Sequence, residues 1–220
     1  MNRLLLVRHG GSTGNEDNVF YSYHDSALCL TTNGIRQALS TGQALAQLEP
    51  RWLRPGDFTL EVYASEYFRA QQTARIVLDQ MGLLSLSPRI RADLNERDYG
   101  TAYDPRMDSD ATFAGNGSES AINARLRVRG FLSDIAPILY RADVLAFSHM
   151  GAIRAMTAEL LGLTDADMMK LDIRNGGAHL FQRTGGADGR ATYALQDLPP
   201  RVLPKSAPPI KPPEDAPPVF

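Results

Sequence analysis

Two histidines sit in similar settings in this chain. Arg8-His9-Gly10 ends the apolar run Leu4 to Val7, and Ser148-His149, with Gly151 just beyond, ends the run Val144 to Phe147. Two further polar groups stand where other elements begin or end: Arg69, close behind Ser65, and Glu96, close behind Leu94. A pair of guanidiniums such as Arg8 and Arg69 suits a dianionic oxygen cluster, because each planar fork donates parallel hydrogen bonds. A neutral imidazole is a competent nucleophile toward phosphorus. A carboxyl group beside it can protonate a leaving oxygen and then activate water. A helix opening after His149 would add backbone N–H donors and the positive end of its dipole. Together these groups make a pocket suited to the equatorial oxygens of a phosphoryl group in transfer.

That chemistry requires elements that bring the groups to one place. Arg3 to Val7 reads as a buried strand. Thr31 and Thr32 cap a helix carrying Ile35, Ala38, Leu39, Gly42, Leu45 and Ala46, which Pro50 closes. Phe58 to Tyr63 reads as a second strand, with Phe58, Leu60 and Val62 alternating against Thr59 and Glu61. Ser65 is the expected cap of a helix whose apolar face is Ala70, Ala74, Val77, Leu78 and Met81, ended by Gly82. Residues 89–94 make a short strand, and the polar stretch 97–117 is expected to lie outside the core. Ser118 opens a long helix with the face Val128, Phe131, Ile135, Ile138 and Leu139. Residues 143–147 form an apolar strand, and Gly151 to Leu161 a helix stopped by Gly162. Residues 178–181 and 192–195 form a last strand pair, with His179 packed in it. Strands alternating with helices predict a layered α/β sheet that is at least partly parallel. Ligands of such sheets bind beyond the carboxyl ends of parallel strands, and each group singled out above follows a strand.

Composition narrows the field. Of 220 residues, 43% are hydrophobic and 22% charged, enough to bury a core. Lys and Arg number 23 against 25 Asp and Glu, so no basic excess points to nucleic acid. Cys29 is the only cysteine, which excludes an intrachain disulfide and a multi-cysteine zinc site. The N-terminal apolar run meets Arg8 too soon for a signal peptide or a membrane span. The expectation is a soluble, cytoplasmic protein acting on a small substrate, without nucleic-acid or membrane partners. Nine of the 14 prolines fall in the last 23 positions, from Leu198 onward. The chain therefore divides into a domain over 1–197 and an extended Pro-rich tail over 198–220, where Pro209-Ile210-Lys211-Pro212 has the spacing of a partner-docking segment.

At these residues the chain resembles the histidine phosphatase superfamily, in its phosphoglycerate mutase-like branch. Arg8-His9-Gly10, with Ser12 and Asn15, is similar to the opening signature. Leu30-Thr31, Gly34 and Gln37-Ala38 resemble the next block, and Ala64-Ser65 with Arg69-Ala70 and Gln72-Thr73-Ala74 the one after. Leu94-Asn95-Glu96-Arg97 with Tyr99-Gly100 resembles the acid block, and Ser148-His149 with Gly151 the last. The blocks keep the family's order over residues 3–183. The resemblance implies a three-layer α/β/α sandwich with a largely parallel central sheet, and a phosphohistidine mechanism without metal or other cofactor. His9 would accept the phosphoryl group; Arg8, Arg69 and His149 would hold it; Glu96 would be the proton donor and acceptor. Ser12, Asn15, Tyr99 and Gly151 would line the substrate and phosphate site.

Some features depart from the pattern. Gly11 stands where many members carry Glu or another polar residue. Residues 101–117 hold no adjacent arginine pair of the kind that mutases use for a phosphoglycerate carboxylate, which favours a phosphomonoester phosphatase over a mutase. A phosphate-site fold that only binds, with the tail as its docking part, is the third reading. A metal at His9, His149 and Glu96 conflicts with two neighbouring arginines. The acidic residues Asp104, Asp108 and Asp110 lack calcium-loop spacing and read as a solvated loop. The segment 16–29, with Tyr21, Tyr23 and His24, is expected to border the substrate mouth.

Overall fold

Leu4, Leu5, Leu6 and Val7 are all fully buried, and their alternation sends them to opposite sides of one sheet. The structure, a computed structural model, describes residues 3–16, 27–48, 59–101, 104–185 and 191–198. Strands β1 (Arg3–Arg8), β2 (Leu60–Ser65), β3 (Arg89–Arg91), β4 (Asp143–Ser148), β5 (Ala178–Gly185) and β6 (Ala191–Leu198) form a six-stranded sheet in the order β3-β2-β4-β1-β5-β6. The first four pair in parallel, and β5 and β6 add antiparallel to one edge. Helices α1 (Thr13–Glu16), α2 (Thr32–Leu48), α3 (Phe68–Gln80), α4 (Ala121–Ile135), α5 (Met150–Leu161) and α6 (Asp165–Lys170) complete the chain.

The sheet has a core on each face. Leu5, Val7, Leu145 and Phe147 pack with Ala38 and Leu45 of α2 and Ala74, Val77 and Leu78 of α3. Leu4, Leu6, Val144 and Ala146 pack with Val128 and Phe131 of α4 and Ile153 and Met156 of α5. The result is the expected three-layer α/β/α sandwich around a largely parallel sheet. Near-continuous apolar runs in β1 and β4 follow from burial on both faces. The helix ends obey local chemistry. Thr31 Oγ1 accepts from the Gly34 N–H, and α5 stops at Gly162, whose φ of 65° is the left-handed cap.

The structure differs from several sequence expectations. The second strand starts at Leu60 and runs on through Ala64 and Ser65; with Val62 and Ala64 in one core and Tyr63 in the other, it is buried on both faces toward its end rather than alternating. Phe58, Pro50, Tyr21, Tyr23, His24 and residues 199–220 lie outside the described residues. Ser65 closes β2 instead of capping α3, whose cap position is Tyr67. Ile35 faces out, since Gly34 takes the close packing position in its turn. Residues 89–94 divide into a three-residue strand and a 3-10 turn over Ala92–Leu94. The stretch 97–117 is not all peripheral: Met107 is fully buried, and its carbonyl accepts from Arg97 Nη1 at 2.7 Å. The long helix starts after Ser120, whose hydroxyl accepts from the Asn123 N–H, rather than at Ser118. Pro137 separates Ile138 and Leu139 into a 3-10 turn of their own. Helix α6 was not anticipated, although Thr164 three residues before Asp167 forms its reciprocal cap.

Candidate active site

The carboxyl ends of β1, β2 and β4 lie side by side, because Arg8 registers with Ser148 and Ala64 with Phe147. His9 continues this pairing, its N–H donating to the Ser148 carbonyl at 3.0 Å. The two imidazoles therefore leave adjacent strands at the same edge, with ring centroids 5.0 Å apart. His9 Nδ1 lies 2.6 Å from the Gly10 carbonyl. A carbonyl only accepts, so Nδ1 carries the hydrogen and Nε2 keeps the lone pair. Arg69, in the first turn of α3, donates its Nε–H to that Nε2 at 3.2 Å. Burial, followed by the charges of Arg69 and Arg8, pushes His9 well below the usual histidine range and keeps it neutral.

His149 is fully buried, and burial with Arg69, His9, Arg8 and Arg127 also pushes it well below the usual range. Its Nε2 meets the Ser65 hydroxyl at 2.8 Å, and its Nδ1 has no partner. The ring packs edge-on against Tyr67 at 5.0 Å, and the Arg69 guanidinium stacks on the same tyrosine. Glu96 Oε1 accepts from the Arg97 N–H at 2.9 Å and the Gly151 N–H at 2.8 Å. The carboxylate is thus fixed to the opening turn of α5, beside His149.

Arg8 donates from Nη1 to the Ile173 carbonyl at 2.5 Å, while its buried Nε–H has no partner. Ser12 is buried, and its hydroxyl and N–H both meet Asn15 Oδ1 at 3.1 Å. Tyr99 is partly buried against Arg97 and near Glu96; burial and the Glu96 charge push its hydroxyl above the usual tyrosine value. The structure thus brings His9, Arg8, Arg69, His149 and Glu96 together, with Tyr99 at the acid's side and Ser12 and Asn15 behind the nucleophile. Gly151 serves differently from its expected place among the phosphate contacts, since its N–H is committed to Glu96.

Several contributors were not singled out as site residues from the sequence, although Gln37 and Thr73 lie within the family-like blocks. Asn175 donates from Nδ2 to the His9 carbonyl at 3.3 Å and to Asn15 Oδ1 at 3.1 Å. Thr73 Oγ1 accepts from the Gly10 N–H at 3.1 Å, and Gln37 Oε1 from the Gly11 N–H at 2.8 Å. Arg127 bridges Glu119 to the carbonyls of Asp93 and Asn95 and so holds the acid loop. The acidic residues near position 104 are occupied internally: Asp104 pairs with Arg106, which holds its carboxyl down at about 2, and Asp110 accepts from Thr112. Among the described residues no group of three or more His, Cys, Asp and Glu could hold a metal ion. Among them too, no helix is long and apolar enough to cross a membrane.

Comparison with known proteins gives a consistent picture. The model of the histidine phosphatase superfamily (branch 1) matches residues 4–192. A 2,3-bisphosphoglycerate-dependent phosphoglycerate mutase of Methylobacterium radiotolerans is 32% identical over 194 residues, covering 80% of this chain and 87% of the relative. The enzyme of the same description from Rhizobium meliloti is 32% identical over 215 residues, covering 89% and 96%. Among solved structures, a mycobacterial glucosyl-3-phosphoglycerate phosphatase complexed with VO3 superposes with a TM-score of 0.71 at 22% identity, covering 89% of this chain and 97% of that one. A putative alpha-ribazole-5'-P phosphatase from Escherichia coli gives 0.69 at 25% identity, covering 90% and 98%.

Proposed function

This chain belongs to the histidine phosphatase superfamily, and we propose that it is a metal-independent phosphomonoester phosphatase working through a phosphohistidine at His9. One observation carries the reading: a buried histidine lone pair at Nε2 feels the charge of Arg8, whose buried Nε–H has no partner. A dianionic phosphoryl group would satisfy that donor and draw the Arg69 N–H off His9 Nε2, freeing the lone pair to attack. In the first step the Nε2–P bond forms, the P–O bond to the leaving group breaks, and the Glu96 proton goes to the leaving oxygen. In the second step Glu96 takes a proton from water, whose oxygen attacks phosphorus. The P–N bond breaks, and its electron pair returns to Nε2. The buried neutral state of His9 supports the nucleophilic role.

Arginine usage around the acid loop favours release to water over transfer to a second hydroxyl. Arg97 is committed to the Met107 and Glu119 carbonyls, and Arg106 to Asp104. Neither is left as half of a clamp for a substrate carboxylate. The mutase reading draws on the named activity of the 32% identical relatives. The deciding experiment is phosphate release from an aryl phosphate in the presence of chelator. The wild type is expected to turn over, and His9→Ala to lose roughly a thousandfold or more. Phosphoglycerate isomerisation without net phosphate release would favour the mutase instead.

A further inference from the structure

His149 Nε2 meets the Ser65 hydroxyl at 2.8 Å, and the fate of that hydroxyl's one proton decides which imidazole nitrogen is protonated. Asn95 Oδ1 accepts from the Glu66 N–H at 3.0 Å, while Asn95 Nδ2 donates to the Glu66 carboxylate at 2.7 Å. These two bonds fix the amide with its oxygen toward Ser65. An amide oxygen only accepts, so Ser65 Oγ–H donates to it, at 2.8 Å. Ser65 Oγ is left with lone pairs, which accept from the Tyr67 N–H at 3.1 Å and from His149. Nε2 must therefore be the protonated nitrogen of His149. Nδ1 of the neutral ring is bare, buried and without a partner.

Resting on the phosphoryl-transfer reading of this site, we propose that Ser65 and Asn95 lock His149 as its Nε2–H tautomer, so that His149 can hold an oxyanion only by taking a solvent proton onto Nδ1. Ser65 and Asn95 are then positioning residues, acting through His149. The groups that face this ring explain why the proton is absent beforehand. Burial opposes a charged imidazole most, and the charges of Arg69 from α3, Arg8 from the end of β1 and Arg127 from α4 add to it, while neutral His9 offers no compensating charge. Tyr67 meets it ring to ring at 5.0 Å. The Glu96 carboxylate is held at the Gly151 N–H, two residues along the chain. A bound dianion reverses the local field and favours the imidazolium, which then donates from both nitrogens.

Two measurements on the full chain test this. Nitrogen-15 NMR of the free wild type at neutral pH should show His149 protonated at Nε2 and bare at Nδ1. Asn95→Ala, which does not touch His149, frees the Ser65 proton to turn and should turn that signature into a mixture of tautomers. Calorimetric titration with tungstate, a dianion that does not titrate near neutrality, in buffers of different ionisation enthalpy should show uptake of about one proton in His9→Gln. In that background the uptake belongs to His149, and His9→Gln/His149→Gln should lose it. A hydrogen on Nδ1 in the free protein, or an unaltered signature in Asn95→Ala, overturns the lock. Tungstate bound without proton uptake overturns the linkage. Failure of tungstate to bind overturns the linkage and the phosphoryl reading together, and the NMR result then stands apart from both.

Discussion

At the scale of single side chains, Glu96 bears on catalysis and the two site histidines bear on stability. Glu96 is held by two backbone N–H groups on one oxygen, Oε1. It therefore keeps its place when the acid function is removed. Glu96→Gln is expected to cut turnover of alkyl phosphates by about a hundredfold to ten-thousandfold. Aryl phosphates, whose leaving groups need less protonation, should suffer less, and comparing the two substrate series checks the assignment. His9 and His149 make the opposite kind of contribution, to stability. Burial, with the neighbouring arginines, holds both well below the ordinary histidine value of about 6.5 in the folded state. Below about pH 6.5 the unfolded chain takes up protons that the folded imidazoles refuse, so stability present above that pH is lost as pH falls. Each histidine should contribute about 1.4 kcal/mol per pH unit until its folded value is reached. Urea titrations between about pH 6.5 and 5.5 should show this slope, and His149→Gln should remove its share.

At the scale of elements, the start of α5 packs closely against the acid. A Cβ on Gly151 would lie 2.6 Å from Glu96 Oε1 and 2.9 Å from Arg97 Cβ. Gly151→Ala should fold, since alanine suits a helix, but it must push the acid off its N–H anchor. An expected fall in kcat of roughly tenfold to a hundredfold, measured well below the variant's own thermal midpoint, separates this from general destabilisation. Elements were the most legible level of the sequence. The apolar runs of β1 and β4 and the 3.6-residue spacing of α3 follow directly from burial, and the histidines just beyond β1 and β4 indicated the site. What stayed hidden depends on contacts far apart in sequence. Asn175 reaches His9 and Asn15 across about 160 residues. Ser65 looked like a helix cap because serine often is one, while its partner Asn95 comes from another loop. The backbone approach of Gly34 to the loop at Gly10 and Gly11 likewise has no local pattern beyond the glycines themselves.

Across the whole molecule, chemistry and anchoring lie at opposite ends of the same strands. The carboxyl ends of β1 and β4 carry Arg8, His9 and His149, while their amino ends carry Arg3 and Asp143. Asp143 is fully buried and accepts from the Arg3 N–H at 2.7 Å, from Nε at 3.2 Å and from Nη2 at 2.7 Å. The bonds tie two central parallel strands together about 20 Å from the reacting groups, at roughly 3.3 Å per residue. Such a pair does not by itself make a fold more stable than an apolar replacement would, because both ions lose their hydration. Removing one partner is different: Arg3 would remain largely buried without the carboxylate that accepts three of its hydrogen bonds. Asp143→Ala is therefore expected to lower unfolding free energy by about 3–5 kcal/mol. The residues of the site keep their own strand pairing and helix contacts. In the remaining folded fraction, kcat/KM per active enzyme should stay within about twofold of wild type, since distant sites act nearly independently. Denaturant unfolding and active-site titration of the same preparation would check both halves. A large loss of intrinsic activity would mean that strain at the amino end of the sheet reaches His9 and His149, and that the two ends are not independent.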